Sequence, residues 1–145
     1  MTKTKFQSKK IGNGETFLVG MCPGHQRKKD ATNIVWEGNK SGDLMQDIIK
    51  SFNNIYITNI FNYYTDSTIS RELIDEGLNE LKVDITNLKP KKIICFGNFA
   101  FKEVNNLQLK NVEITKVVHP SYILRFNMDK IKYVAETRSK IGSNN

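Results

Sequence analysis

Two histidines are the only imidazoles in this 145-residue chain, and each stands within two residues of a proline. His25 closes the run Gly20-Met21-Cys22-Pro23-Gly24-His25, and His119 opens the run His119-Pro120-Ser121-Tyr122-Ile123-Leu124-Arg125. An imidazole can exchange a proton near neutrality or donate a hydrogen bond to a developing anion. The plain structural alternative for His119 is a side chain that caps its turn or fills the core. Asn59 ends the run Tyr56-Ile57-Thr58-Asn59. Its carboxamide sets a donor beside an acceptor, although a strand-end turn is the common use of asparagine. Trp36, the only tryptophan, offers a flat aromatic face, and an ordinary core or surface aromatic is the plain reading of it. Arg27-Lys28-Lys29 is a basic run that either holds phosphates or is simply solvated. Cys22 and Cys95 are far apart in apolar segments, as expected of buried small hydrophobes rather than of a disulfide or a metal site. No metal and no cofactor is expected.

These residues must be held by something, and the hydrophobic pattern says what. Four runs rich in β-branched or aromatic residues, 16–21, 55–60, 92–97 and 112–119, predict strands. Helical spacing predicts helices over 42–52, with Ser41 a candidate N-cap, and over 69–88, which Lys89-Pro90 stops. A short helix is predicted over 99–104, and a last one over about 122–141 that presents Phe126, Ile131 and Val134 to the core. Alternating strands and helices predict an α/β fold, a three-layer α/β/α sandwich around a central, mostly parallel four-stranded sheet. In such a sheet, ligands bind beyond the carboxyl ends of the strands, which is where Cys22, Asn59, Asn98 and His119 fall.

The length suits one domain spanning 1–145, with 1–14 a flexible basic tail. No run is long and apolar enough for a membrane span, and the basic N-terminus lacks the apolar segment of a secretory signal. A cytoplasmic monomer is the expectation. A net charge of +7 points to an anionic partner such as nucleic acid, or else to lysines that only keep the surface soluble.

The two turns together carry a resemblance. Gly20-Met21-Cys22-Pro23 after the first predicted strand and His119-Pro120-Ser121 after the last resemble the two signature motifs of the uracil-DNA glycosylases. Tyr56-Ile57-Thr58-Asn59 resembles the strand that carries the base-reading asparagine, and 90–100 resembles the strand-to-helix turn of that family. Val35-Trp36-Glu37-Gly38-Asn39-Lys40-Ser41-Gly42-Asp43-Leu44 is similar to a segment of the thermophile-type families four and five. Those families hold an iron-sulfur cluster on four cysteines. This chain has two, so no cluster is expected, and Phe61-Asn62-Tyr63-Tyr64 stands where a cluster ligand and prolines would be.

The resemblance implies hydrolysis of the bond between deoxyribose and uracil, or a related modified base, in DNA. His119 would hydrogen-bond the carbonyl of the leaving base, helped by backbone N–H groups of Met21 and Cys22. Asn59 would read the flipped base and Trp36 would stack on it. Gly24 stands where a tyrosine excludes the thymine methyl group in the most uracil-selective family, which implies tolerance of 5-substituted pyrimidines, or only a tight turn. Ser121, Tyr122, Arg125, Arg27, Lys28 and Lys29 would contact DNA, with Tyr122, Ile123 and Leu124 available as a wedge; core packing is the alternative for Ile123 and Leu124. The acidic water-activating position is abnormal. Family five has an aspartate whose matching position in this chain is Asn39, which can orient a water but cannot take its proton, and His25, Asp30 and Asp43 are the fallback candidates. A member that binds DNA, a base or a protein without cleavage, and a glycosidase of free nucleosides, remain as alternatives.

Overall fold

The computed structural model describes residues 3–22, 34–37, 39–65 and 69–142. The elements run β1 (Lys3–Lys5), β2 (Lys9–Ile11), β3 (Thr16–Gly20), α1 (Lys40–Ile49), β4 (Ile55–Asn59), β5 (Tyr63–Thr65), α2 (Arg71–Leu88), β6 (Lys92–Phe96), α3 (Asn98–Asn105), β7 (Glu113–Val117), α4 (Pro120–Arg125) and α5 (Lys130–Ile141). A five-stranded sheet has the order β2-β4-β3-β6-β7. The four predicted strands are its parallel members. The fifth, β2, pairs antiparallel with β4 at one edge, and β1 forms a small antiparallel pair with β5. Much of the segment expected as a flexible tail is therefore strand. Lys9-Lys10-Ile11 is too short and too charged to show an apolar alternation, and lysine on an edge strand is the usual guard against further pairing.

The central strand β3 is buried along its whole length, as a parallel strand covered on both faces must be. Its side chains alternate between two cores. Leu18, with Ile55 and Ile57 of β4 and Ile94 and Phe96 of β6, packs against Met45, Ile48 and Ile49 of α1, Ile123 of α4, and Tyr133 and Ile141 of α5. Phe17 and Val19, with Ile93 and Cys95, pack against Ile74, Leu78 and Leu81 of α2 and against Ala100 and Val104 of α3. At about 1.5–3 kcal/mol for each fully buried large aliphatic side chain, these two layers hold the strand ends in fixed relation. Arg138 ties α5 to the end of α1, donating to the carbonyls of Ile48 at 2.8 Å and Lys50 at 2.6 Å.

Two helix boundaries differ from the sequence expectation. The N-cap of α1 is Asn39, not Ser41: Asn39 is extended and its Oδ1 accepts the Gly42 N–H at 2.7 Å. The predicted last helix is two helices. Asn127 takes a left-handed conformation (φ 49°), and Asp129 caps a new helix by accepting the Lys132 N–H at 3.0 Å. The restart changes the helical phase. Tyr133, Thr137 and Ile141 face the core, whereas Phe126 is 56% and Ile131 85% exposed, so neither is the core residue expected; Val134 is half-buried. Both cysteines are free. Burial pushes the Cys95 thiol up to about 12 and raises that of Cys22 as well. Among the described residues no helix is long and apolar enough to cross a membrane.

Candidate active site at the carboxyl edge of the sheet

The carboxyl ends of β3, β4, β6 and β7 bring Gly20, Asn59, Gly97 and His119 to one edge. Gly20 pairs in register with Asn59. Gly97 donates its N–H to the Val117 carbonyl at 2.8 Å, and a Cβ at Gly97 would lie 3.6 Å from that of His119. Gly20 is required by close approach. A Cβ there would fall 2.4 Å from Trp36 Cζ2 and 2.5 Å from Asn59 Oδ1, so the indole and the carboxamide both rest against its backbone. Trp36 is buried with a positive φ of 58°, a costly conformation for a bulky residue. Its backbone is held from α1: Gln46 Nε2 donates to the Trp36 carbonyl at 2.9 Å, and a Cβ on Gly42 would meet that carbonyl oxygen at 2.7 Å. The indole lies 5.7 Å from the Phe96 ring and 5.2 Å from His119, centroid to centroid.

His119 is the N-cap of α4, and Pro120 supplies a first helical residue whose missing N–H leaves nothing unsatisfied. Its Nδ1 accepts the backbone N–H of Ser121 at 3.0 Å, with Ser121 Oγ 2.7 Å away. A backbone N–H can only donate, so the neutral ring carries its proton on Nε2. Burial lowers the pKa to about 4. The result is a neutral, oriented hydrogen-bond donor at neutral pH.

Asn59 is 4% exposed, and its Oδ1 has no partner among the described residues, nor has Trp36 Nε1. Leaving a buried polar atom unpaired costs about 1–3 kcal/mol, a cost that a ligand able to pair with it would remove. Asn62 fixes the Asn59 backbone from both sides. Its Oδ1 accepts the Asn59 N–H at 3.0 Å, while its Nδ2 donates to the Asn59 carbonyl at 3.1 Å and to Thr58 Oγ1 at 2.9 Å.

With a preset Nε2–H donor on His119 and a buried Asn59 oxygen that has no partner among the described residues, this edge carries the groups needed to pair with a planar heterocycle and to stabilise negative charge on it. A family model described as the uracil DNA glycosylase superfamily matches residues 10–141. The chain belongs to the uracil-DNA glycosylase superfamily. No curated protein matches it significantly. Membership in this glycosylase superfamily points to a uracil-DNA-glycosylase-like function with DNA as the partner, and the matched span contains Gly20, Asn59 and His119.

Within this glycosylase fold the structure brings together three of the residues singled out from sequence, Trp36, Asn59 and His119. Trp36 sits between His119 and Gly20, next to Asn59, and Met21 and Cys22 follow directly on β3, with the Met21 carbonyl accepting the Phe61 N–H at 2.9 Å. Asn39 lies three residues beyond Trp36, with its Oδ1 already engaged as the α1 cap. Ser121 serves His119 rather than standing free. Tyr122 and Arg125 are exposed on α4, but Ile123 is buried in the core and Leu124 is half-buried, so core packing is the outcome for Ile123. Asp43 is exposed in the first turn of α1. Gly24, His25, Arg27, Lys28, Lys29 and Asp30 lie outside the described residues. Sequence reasoning missed Gly20 as the floor under Trp36, Phe96 beside it, and the Asn62 clamp. An asparagine three residues past a strand-end asparagine was the available signal for the last, since such side chains commonly bond nearby backbone. Among the described residues no three His, Cys, Asp or Glu side chains gather to hold a metal.

Proposed function

We propose that this protein removes uracil or a related modified base from DNA by hydrolysing its N-glycosidic bond. The flipped base would enter between Asn59 and His119, with Trp36 stacking on it. The C1′–N bond breaks with its electron pair passing to the base, His119 Nε2–H stabilises the charge that collects on the base carbonyl oxygen, and a water oxygen bonds to C1′ and releases a proton. The observation that carries this reading is the hydrogen bond from the Ser121 N–H to His119 Nδ1, because it commits the imidazole to the Nε2–H form such a leaving group needs. Asn59 Oδ1, buried and without a partner among the described residues, supports the base-reading role, and backbone N–H groups of Met21 and Cys22 would assist at the carbonyl.

Asn39 would orient the water. One lone pair of its Oδ1 holds the Gly42 N–H, which leaves the second lone pair and the amide protons for a water. Arg125 would contact phosphate, as would Arg27, Lys28 and Lys29, whereas the Ser121 hydroxyl is committed to His119 Nδ1. The absence of a side chain at Gly24 would admit 5-substituted pyrimidines. We place the chain nearest families four and five, read residues 1–145 as one domain acting as a monomer, and assign it no iron-sulfur cluster, since two cysteines, one of them wholly buried in β6, cannot supply four thiolate ligands.

The capping bond of Asn39 favours a second reading, in which the protein binds a base in DNA without cleaving it, because an amide serving a helix end is a poor substitute for a general base. Oligonucleotides carrying uracil, hypoxanthine or 5-modified pyrimidines, followed by alkaline cleavage, decide between them. Cleavage that disappears in His119→Ala supports the enzyme. Intact binding with no cleavage of any substrate supports the binding protein.

A further inference from the structure

Six large hydrophobic residues are exposed among the described residues, and five of them, Val118, Tyr122, Phe126, Met128 and Ile131, fall within a single segment that begins beside His119. Scattered apolar residues on a surface need no explanation, whereas a cluster marks a contact. Tyr122 and Phe126 are adjacent, with ring centroids 4.6 Å apart and planes inclined at 45°. Consecutive backbone hydrogen bonds join them to the site: the Tyr122 N–H donates to the His119 carbonyl at 3.0 Å, and the Phe126 N–H to the Tyr122 carbonyl at 3.1 Å. Anything resting on these rings is therefore held at a fixed offset from the imidazole.

Resting on the DNA reading above, we infer that Tyr122 and Phe126 form a stacking platform for the bases of an unpaired DNA strand next to the flipped base, and that single-stranded DNA is the preferred form of the substrate. A duplex hides the faces of its bases and presents phosphates and groove edges, while an unpaired strand offers each base face to an aromatic ring. Of the residues that could part a duplex, only Tyr122 is exposed, and its ring lies against Phe126 rather than standing alone as a wedge. Ile123 belongs to the core cluster that includes Trp36, and Leu124 is half-buried. Charge agrees with the occupant: Arg125 stands between the two aromatics in sequence and Lys130 follows, while Asp129 caps α5 and Lys132 pairs with Glu136 at 4.0 Å. Single-strand binders combine aromatic platforms with cations in this way.

The test is equilibrium binding of fluorescein-labelled oligothymidylate, and of a lesion-free hairpin duplex, to the whole protein and to a Tyr122→Ala/Phe126→Ala variant. Both side chains are half exposed, so the fold survives their removal. The double variant loses about tenfold or more in single-strand affinity and less than about twofold for the duplex. Phe126→Trp keeps the affinity, and oligothymidylate quenches its added emission. Equal losses for both forms, no loss for either, or no single-strand binding at all overturns the platform. So does a concentration-dependent dimer that the double variant abolishes, which would give the surface to a second copy of the chain. The same losses with oligodeoxyadenylate, which carries no pyrimidine for the pocket to admit, keep the platform separate from excision.

Discussion

Replacing Asn39 separates its capping bond from any part in catalysis. Its Oδ1 accepts the Gly42 N–H at 2.7 Å at the start of α1. Aspartate caps about as well as asparagine, and its charge at a helix N-terminus adds about 0.3–1 kcal/mol, so Asn39→Asp keeps or slightly raises stability. Asn39→Ala loses the cap and about 1 kcal/mol, roughly 2–4 °C in Tm for a chain near this size. The catalytic consequences differ in sign. With one carboxylate oxygen held by Gly42, the other is free to take a proton from water, and general-base help is worth about 10²–10⁴-fold in rate. The low end is expected, because the Gly42 N–H and the helix terminus stabilise the ionised carboxylate and weaken it as a base. Asn39→Ala should slow excision by about tenfold or more through loss of the oriented water. Single-turnover excision from a uracil oligonucleotide, measured beside thermal unfolding, reads both effects. If Asn39→Asp folds with an unchanged or higher Tm yet excises no faster than the natural protein, Asn39 does not face the reacting water and is a helix cap alone.

His119→Ala should reduce excision by about 10²–10³-fold, the usual effect of deleting one donor to a developing anion. With the His119 pKa lowered to about 4 by burial, the rate of the natural protein should show no titration of this group near 6.5, and its Nε2–H form should persist until the pH nears 4. The same shift affects stability. The unfolded chain takes up the proton first, near pH 6.5, so stability falls as pH drops below 6.5 and levels off below about 4, by on the order of 3 kcal/mol in full. Urea unfolding across that window should show this decline, and His119→Ala should lessen it. Gly20→Ala would drive a methyl group to within 2.5 Å of Trp36 and Asn59; we expect about 1–3 kcal/mol of destabilisation, shifted tryptophan emission and lost excision, and an active variant with natural emission would contradict the placement of the indole. Asn62→Ala should raise KM for the uracil substrate more than it changes lesion-free DNA binding, because it frees the Asn59 backbone; an equal change in both would make Asn62 a general fold element.

Local pattern was enough for the four parallel strands, for the helices between them, and for the edge at which Asn59 and His119 meet, because a strand buried on both faces leaves an unbroken apolar run and its end is marked by the first polar residue. The family motifs lay in the same local runs. What required the folded chain depends on distant partners. Asn39 rather than Ser41 caps α1 because its backbone is extended there, and residues two apart in sequence cannot be told apart as caps by type alone. Phe126 and Ile131 were assigned to the core by a period that the break at Asn127 and Asp129 resets, and with that change they pass from interior to surface. The tautomer of His119, the contact of Trp36 with Gly20 and the grip of Asn62 on Asn59 each depend on distances of a few ångströms, most of them between separate elements, and no residue pattern encodes these before the sheet has assembled.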